Sequence, residues 1–151
     1  MATIDAVTNE AAPPGDGWAA WDHGDPFEAA NGMIFRARDF APTPEELVRI
    51  GFRVAPRNCN FLGGCHGGLM ASLLDIAMGR NVLAATGVAG APTMSMTVDF
   101  VRGAVSGEWL ESRARIIRQA RRVVFCDALL VGSAGITARA SGVFSIPQSA
   151  Q

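Results

Sequence analysis

The feature that most constrains this chain is a nearly continuous apolar stretch over residues 67–88. Its apolar side chains fall on almost every side of a helical axis, and glycines at positions 87 and 90 end it. Polar residues that an isolated membrane span would hardly tolerate lie within it: Ser72, Asp75, Arg80 and Asn81. The stretch therefore predicts one long helix, buried on most sides, around which the rest of the chain packs.

The residues after this helix alternate between apolar and polar, which is the period of a β-strand. Strands are predicted at residues 93–100, 109–118, 122–131 and 136–146, with connections short enough for hairpins or a tight meander. Strands that follow one another in sequence imply an antiparallel sheet, and the long helix covers its apolar face. The predicted class is α+β.

Two capping signatures precede shorter elements in the N-terminal part of the chain. Asp25, followed by Pro26 and Glu28, predicts one or two helical turns that end at Gly32, and a strand follows over residues 33–39. The sequence Thr-Pro-Glu-Glu at residues 43–46 repeats the signature. It predicts another helical turn, followed by a strand over residues 51–57.

Length and charge limit the organisation of the chain and its partners. A chain of 151 residues fits one domain. We expect a flexible N-terminal arm over residues 1–25, a folded domain over residues 26–147 and a C-terminal tail over residues 148–151. Thirteen basic residues face fourteen acidic ones, for a net charge of -1, so no cationic field favours binding to nucleic acid or to an anionic membrane.

The residue types present restrict the possible chemistry. All the basic residues are arginine and there is no tyrosine, which excludes Schiff-base lysines, a P-loop lysine and tyrosine acid–base catalysis. Cys59, Cys65 and Cys126 form no C-x-x-C pair and follow no secretory signal, so we expect a cytoplasmic protein. With His23 and His66 as the only histidines, a metal site is not expected.

Asp75 is the most unusual side chain of the long helix. A carboxylate between Leu74 and Ile76 is costly to bury as an anion, so it needs a partner or a use. Ser72 or Arg80 could supply the partner, in which case Asp75 would be structural. A catalytic role is the alternative, and periodicity alone leaves both open.

The start of the same helix is a candidate for binding a carbonyl oxygen. No Ser, Thr, Asp or Asn stands immediately before Gly67, so the N–H groups of the first turn have no cap visible in the sequence. Gly67 and Gly68 would let a ligand approach the backbone closely. The positive end of the helix dipole favours the oxygen that becomes negative during acyl transfer.

Spacing along the helix also predicts an assembly. Gly67 and Asp75 are eight residues apart, which is roughly 12 Å along the axis and too far for both to reach one carbonyl carbon. If both act on one substrate, two chains must share the site. A two-fold dimer would then place the helix start of one subunit beside Asp75 of the other.

The residues from Asn60 to Asp75 carry a resemblance to a known family. Asn-x-x-Gly-x-x-His-Gly-Gly over residues 60–68, followed by six residues and Asp75, resembles the hotdog-fold acyl-CoA thioesterases of the phenylacetate-degradation (PaaI-like) group. The similarity extends from about Met33 to Ile146. It implies the hotdog fold, an antiparallel β-sheet wrapped around one long central α-helix.

The resemblance also implies roles for individual residues. Asp75 would be the catalytic carboxylate, acting as general base on water or as nucleophile on the thioester. The N–H of Gly67 would polarise the carbonyl, with Gly68 beside it, and Asn60 of the same subunit would lie near the reacting groups. His66 would position the loop or support the carbonyl contact. Thr93 would hold the water beside Asp75, and Ser95 is its rival for that role.

The same resemblance implies the ligand and the assembly. The substrate would be an acyl- or aryl-CoA ester, and no cofactor would be needed because CoA is part of the substrate. The protein would be a homodimer, or a homotetramer formed as a dimer of dimers. Its active sites would lie at the dimer interface. Of the charged turn at residues 118–122, Arg122 and Arg121 are the candidates to hold the CoA phosphates. A hotdog hydratase or dehydratase and a non-catalytic acyl-CoA-sensing module remain the alternatives.

Overall fold

A computed structural model describes residues 12–147, which form one antiparallel sheet of seven strands and one long helix. The elements follow in chain order: β1 (Trp18–Ala20), α1 (Pro26–Asn31), β2 (Ile34–Ala37), β3 (Ile50–Arg53), a 3-10 turn (Pro56–Asn58), α2 (Gly67–Thr86), β4 (Thr93–Phe100), β5 (Trp109–Gln119), β6 (Val123–Gly132) and β7 (Gly135–Ser145). Across the sheet the strands lie in the order β1-β2-β3-β5-β6-β7-β4. The antiparallel sheet and the single long helix confirm the predicted class.

Helix α2 supplies one side of the core. Its apolar residues from Leu69 to Val82 pack against β4, β5, β6 and β7, and Gly87 ends it in the left-handed conformation with φ 71°. By length and composition α2 could cross a membrane, but one of its faces is buried against the sheet and forms part of the protein core. The prediction of a helix covered on most sides is wrong for the single chain, because the face carrying Ser72, Asp75 and Ile76 is only half-buried.

The sheet order differs from the predicted meander at one strand. β5, β6 and β7 pair in succession, as expected from their short connections, whereas β4 pairs with β7 and forms the edge of the sheet. The segment between β4 and β5 is therefore a crossing connection and not a hairpin. It passes the start of α2, where the Cys65 N–H donates to the Ala104 carbonyl at 2.8 Å. Alternation determines which face a residue occupies but not which strand is its neighbour.

Of the two predicted helical turns, only the first forms. Asp25 caps α1 by accepting from the N–H groups of Phe27 and Glu28, and Gly32 ends the helix, as predicted. The prediction of a helical turn at residues 43–46 is wrong. Thr43 and Glu46 close a tight turn on each other through reciprocal hydrogen bonds, and the next two N–H groups donate to Asn81 of α2 instead of continuing a helix.

The described part of the expected N-terminal arm is attached to the sheet. Residues 18–20 form β1, which pairs with β2 and extends the sheet. The Trp18 ring meets Trp109 edge-on at 5.0 Å, and the Arg80 guanidinium lies 5.1 Å from the Trp21 ring. Within this part, residues 18–20 are a strand of the sheet, which the expected arm did not include. Residues 1–11 of the arm and the tail at 148–151 lie outside the described residues.

Candidate active site

Asp75 is held by one hydroxyl and neutralised by no cation among residues 12–147. Its Oδ1 accepts from Thr93 Oγ1 at 2.7 Å, and no other described residue donates to the carboxylate. The two structural partners left open by the sequence are both engaged elsewhere. Ser72 Oγ donates to the Gly68 carbonyl at 2.8 Å, and Arg80 pairs with Glu28 at 2.7 Å. The half-buried carboxylate therefore keeps one oxygen available to a substrate or a water.

A β-bulge at the start of β4 decides which hydroxyl reaches Asp75. The pairing of β4 with β7 shifts register between Thr93 and Ser95. Strict alternation would place both of these residues on the face opposite Met96, which packs against the core. The bulge instead turns Thr93 to the inner face, beside Asp75. Ser95 is exposed, and it lines neither cavity along α2.

The first turn of α2 has a cap that the sequence did not reveal. His66 Nδ1 accepts from the Gly68 N–H at 2.9 Å, so the expectation of an uncapped helix start with free donors is wrong for Gly68. A neutral imidazole nitrogen accepts a hydrogen bond as an Asp or Ser cap would. The N–H groups of Leu69 and Met70 donate to the His66 carbonyl. Within the first turn, only the Gly67 N–H lacks an acceptor among residues 12–147.

Both glycines at this helix start are constrained by their neighbours. A Cβ at Gly67 would lie 3.2 Å from Phe100 Cζ, and one at Gly68 would lie 3.0 Å from His66 Nδ1. These distances are tighter than ordinary van der Waals contacts. A side chain at either position would displace the groups that frame the free N–H of Gly67.

Asn60 organises the loop that leads to the helix start. Its Oδ1 accepts from the N–H groups of Leu62 at 2.9 Å and Gly64 at 3.3 Å, and its own N–H donates to the Gly64 carbonyl. Gly63, with φ 83°, supplies the left-handed residue of this turn. The side-chain amide of Asn60 donates to no residue among those described, so it can still serve as a hydrogen-bond donor.

Two cavities lie along the half-exposed face of α2. The first, of about 510 Å³, contains Asp75 and Thr93, and we name it the Asp75 chamber. The second, of about 440 Å³, contains His66 and Gly68 at the helix start. Phe27 of α1 and Ser72 of α2 line both cavities, so they stand between them. Neither cavity unites Asp75 with the helix start, which keeps the two predicted halves of the site apart in one chain.

The arginine turn lies at the same end of the sheet as Thr93 but at a distance from it. The paired positions Thr93, Phe144, Val124 and Gln119 run across β4, β7, β6 and β5, and the turn at residues 120–122 follows Gln119. The turn joins β5 to β6, which lie three and two strand spacings from Thr93, or about 14 Å and about 10 Å across the sheet. Arg121 and Arg122 are exposed and line neither cavity along α2.

Two of the three cysteines, Cys65 and Cys126, are buried thiols, and Cys59 is partly buried. Burial raises the pKa of Cys65 to about 11 and that of Cys126 to about 12, so both stay protonated at neutral pH and are poor nucleophiles. Cys65 lies in the loop before α2 as a packing residue. Over residues 12–147, no three His, Cys, Asp or Glu side chains are grouped to bind a metal.

Comparison with known proteins identifies the family. Residues 62–136 match the model of the thioesterase superfamily. A Pseudomonas aeruginosa protein named "Putative esterase PA0474" is 33% identical over 100 residues, covering 65% of this chain and 74% of that protein. The chain belongs to the thioesterase superfamily. The matched segment contains the helix start, all of α2 and β4, and so most of the candidate site.

Solved structures of other proteins share the fold. The phenylacetic acid degradation protein PaaI of Thermus thermophilus superposes with a TM-score of 0.68 at 24% identity, covering 82% of this chain and 100% of that one. A Streptococcus mutans protein bound to acetyl CoA gives a TM-score of 0.62 at 21% identity, covering 69% of this chain and 83% of that one. The hotdog fold implied by the sequence resemblance is confirmed.

Sequence reasoning missed two features of this thioesterase-superfamily site. The His66 cap could have been anticipated, since a neutral histidine can act as an acceptor ahead of a helix. The position of Phe27 between the two cavities had no sequence signal, because it depends on where α1 lies against α2.

Proposed function

We propose that this thioesterase-superfamily chain hydrolyses an acyl- or aryl-CoA thioester to the free acid and CoA. The observation that carries the proposal is the state of Asp75. It lies on an apolar helix, bound by Thr93 at 2.7 Å, with an oxygen that no described residue occupies. A structural carboxylate at this position would be expected to have an arginine partner, and Arg80 is paired with Glu28.

Asp75 then acts in one of two ways. As general base, its free oxygen takes a proton from water while the water oxygen attacks the thioester carbon, and the C–S bond breaks to give the acid and the CoA thiol. As nucleophile, it attacks the carbon itself and expels CoA thiolate, and water then hydrolyses the resulting anhydride. In both cases the Thr93 hydroxyl orients the carboxylate by donating to its other oxygen.

The helix start supplies the electrostatic part of the reaction. The free N–H of Gly67 stabilises the oxygen that becomes negative as the carbonyl is attacked, with the helix dipole adding to the effect. His66 supports this contact indirectly, since its cap on Gly68 fixes the first turn. The Asn60 side-chain amide is the neighbouring donor toward the reacting groups.

Two copies of the chain build each site in this proposal. Asp75 and the helix start occupy separate cavities of one chain, consistent with the roughly 12 Å between them along α2. β4 is an eight-residue edge strand whose apolar side chains Met94 and Phe100 are 63% and 56% exposed. A long apolar edge of this kind favours pairing with another chain. A homodimer, alone or within a dimer of dimers, would bring one copy's helix start beside the other's Asp75.

The CoA moiety is part of the substrate, and the proposed chemistry needs no metal and no separate cofactor. Arg121 and Arg122 are our candidates to bind the phosphates of CoA. They lie at the end of the sheet where β4 begins, and their guanidinium groups are exposed to solvent. The proposed dimer is a cytoplasmic protein. The binding of acetyl CoA by the Streptococcus mutans neighbour supports a CoA ester as ligand.

A thiol-release assay over short, long and aromatic acyl-CoAs tests the function. We expect hydrolysis by the wild type and a fall in kcat of at least about 100-fold in Asp75→Asn, the scale of a lost general base. Asp99→Asn is the matched control, because Asp99 is an exposed residue of β4 paired with Arg139, and it should retain activity. Unchanged turnover in folded Asp75→Asn would refute the role of Asp75. Tight binding of CoA esters without turnover would favour the sensing module.

A further inference from the structure

The Asp75 chamber has an apolar wall and an acidic rim. Its apolar side chains come from both helices and from β4: Phe27, Ala71, Ile76 and Met96. Its charged residues are all carboxylates, namely Asp25, Glu28 and Asp75. An apolar surface suits a hydrocarbon group, whereas a ring of carboxylates repels an anion.

The cation nearest to this rim is already committed. Arg80 donates to Glu28 Oε1 at 2.7 Å, with both side chains mostly buried, and its guanidinium lies over the Trp21 ring. His23 lies near the same pair, where desolvation and the charge of Arg80 lower its pKa below the ordinary 6.5, and it forms no ion pair with a rim carboxylate among the described residues. Asp25 and Asp75 therefore face the chamber without a compensating cation from residues 12–147.

These properties distinguish the two ends of a CoA ester. The CoA moiety carries several phosphate charges, which the acidic rim repels. The acyl group is the part of the substrate that an apolar wall next to Asp75 can bind. The residue best placed to limit that group is Phe27, since it is 55% exposed on α1 and lines both cavities along α2.

We propose, building on the thioesterase function above, that the Asp75 chamber binds the acyl group and that Phe27 and the acidic rim select uncharged apolar acyl groups over those ending in a carboxylate. Phe27 closes the chamber on the side of the helix start and limits acyl length. Asp25 and Asp75 exclude a second carboxylate. The substrate class is thus an uncharged aliphatic or aromatic acyl-CoA.

Hexanoyl-CoA and adipoyl-CoA test the predicted selection against a terminal carboxylate, since their acyl chains have the same length. The hexanoyl group ends in a methyl group and the adipoyl group in a carboxylate. We expect kcat/KM of the wild type for hexanoyl-CoA to exceed that for adipoyl-CoA by at least about tenfold. In Asp25→Asn the ratio should fall severalfold, because asparagine still caps α1 but removes one negative charge. Equal kcat/KM values for the two esters in the wild type would overturn the proposal.

The role of Phe27 is tested with butyryl-CoA and decanoyl-CoA. In Phe27→Ala, and to a smaller degree in Phe27→Leu, the kcat/KM ratio of decanoyl-CoA to butyryl-CoA should rise at least about fivefold, as expected when part of an apolar wall is removed. Phe125→Ala is the matched control, because Phe125 is a partly exposed residue of β6 outside the chamber, and it should not move the ratio. An unmoved ratio in both folded Phe27 variants would overturn the assignment.

Binding separates this proposal from the proposed function. The Kd values of Asp75→Asn for hexanoyl-CoA and adipoyl-CoA can be measured without turnover, and hexanoyl-CoA should still bind at least about twofold tighter, because Asp25 keeps its charge in this variant. The same preference in a wild type that hydrolyses no ester would refute the enzyme but support the chamber. Hydrolysis without any discrimination between the two esters would refute the chamber but support the enzyme.

Discussion

Two polar side chains of α2, six residues apart, have opposite surroundings. Asn81 is 0% exposed and uses its whole amide: Oδ1 accepts from the N–H groups of Leu47 and Val48, and Nδ2 donates to the carbonyls of Val48 and Ala77. Asp75 is half-buried and bonded to Thr93 alone among residues 12–147. A polar group that is fully hydrogen-bonded in a core holds elements together, whereas one with an unused oxygen at a cavity can act on a ligand.

The largest effect should come from replacing Asn81, the member of this pair whose amide is fully hydrogen-bonded. Asn81→Leu leaves two backbone N–H groups and one carbonyl of the 47–48 segment without partners in a buried position. We expect the free energy of unfolding to fall by about 3–5 kcal/mol. Urea unfolding measures the change, and Asp75→Asn in the same assay should differ from wild type by less than about 0.5 kcal/mol. A loss below about 1 kcal/mol in Asn81→Leu would erase the distinction between the two residues.

A smaller effect on turnover should follow from removing the one partner of Asp75. Thr93→Val keeps the shape of the side chain but loses the hydroxyl that donates to Oδ1. We expect kcat to fall about tenfold, equivalent to roughly 1.4 kcal/mol of activation free energy, with little change in stability. Thr97→Val is the matched control, because Thr97 is an exposed residue of the same strand. Equal activity in the two variants would show that the carboxylate needs no orientation by Thr93.

The smallest effect concerns Glu108, a carboxylate that resembles Asn81 because neighbouring groups satisfy it with hydrogen bonds. Glu108 is 7% exposed, and burial alone would raise its pKa. Hydrogen bonds from Arg102, the Val105 N–H and Ser133 outweigh burial and hold the pKa of Glu108 below its ordinary value of 4.5. Its stabilising contribution is therefore complete above the unfolded-state value and is lost as the pH falls through the lower folded-state pKa.

Urea unfolding, measured from neutral to acidic pH, tests this predicted direction of the pH dependence of stability. The free energy of unfolding of the wild type should decrease as the pH falls below about 4.5, and that of Glu108→Gln should decrease less steeply. Glu108→Gln should also be the less stable protein at neutral pH. Parallel curves for the two proteins would mean that Glu108 contributes nothing to acid sensitivity.

Local signals in the sequence were sufficient for the elements that begin and end at chemically distinctive residues. Asp25, Pro26 and Gly32 defined α1, because a cap, a preset φ and a glycine with positive φ act within a few residues. The apolar run and Gly87 defined α2 in the same way. The cost of burying Asp75 and the absence of a visible cap before Gly67 made these two residues candidates, whereas the family motif added Asn60, His66 and Thr93 and gave each residue its expected role.

Features that depend on distant parts of the chain were not predictable. The pairing of β4 with β7 is a choice among equally alternating strands, and the bulge that turns Thr93 inward arises from that pairing. The turn at Thr43 was interpreted as helical because its capping signature is local, while the competing acceptor, Asn81, lies 34 residues from Leu47. The strand β1 was missed because its three residues pair only in the context of β2.

The most direct test of the account is complementation between two inactive variants. Asp75→Asn and Asn60→Ala chains, unfolded together in equal amounts and refolded, should form mixed dimers in which one site has an intact Asp75 from one copy and an intact Asn60 and helix start from the other. Half of the dimers would then carry one working site of two, and thiol release should recover to about one quarter of the wild-type rate. If the activity of the mixture stays at the mean of the two variants alone, each site lies within a single chain and the shared-site account is wrong.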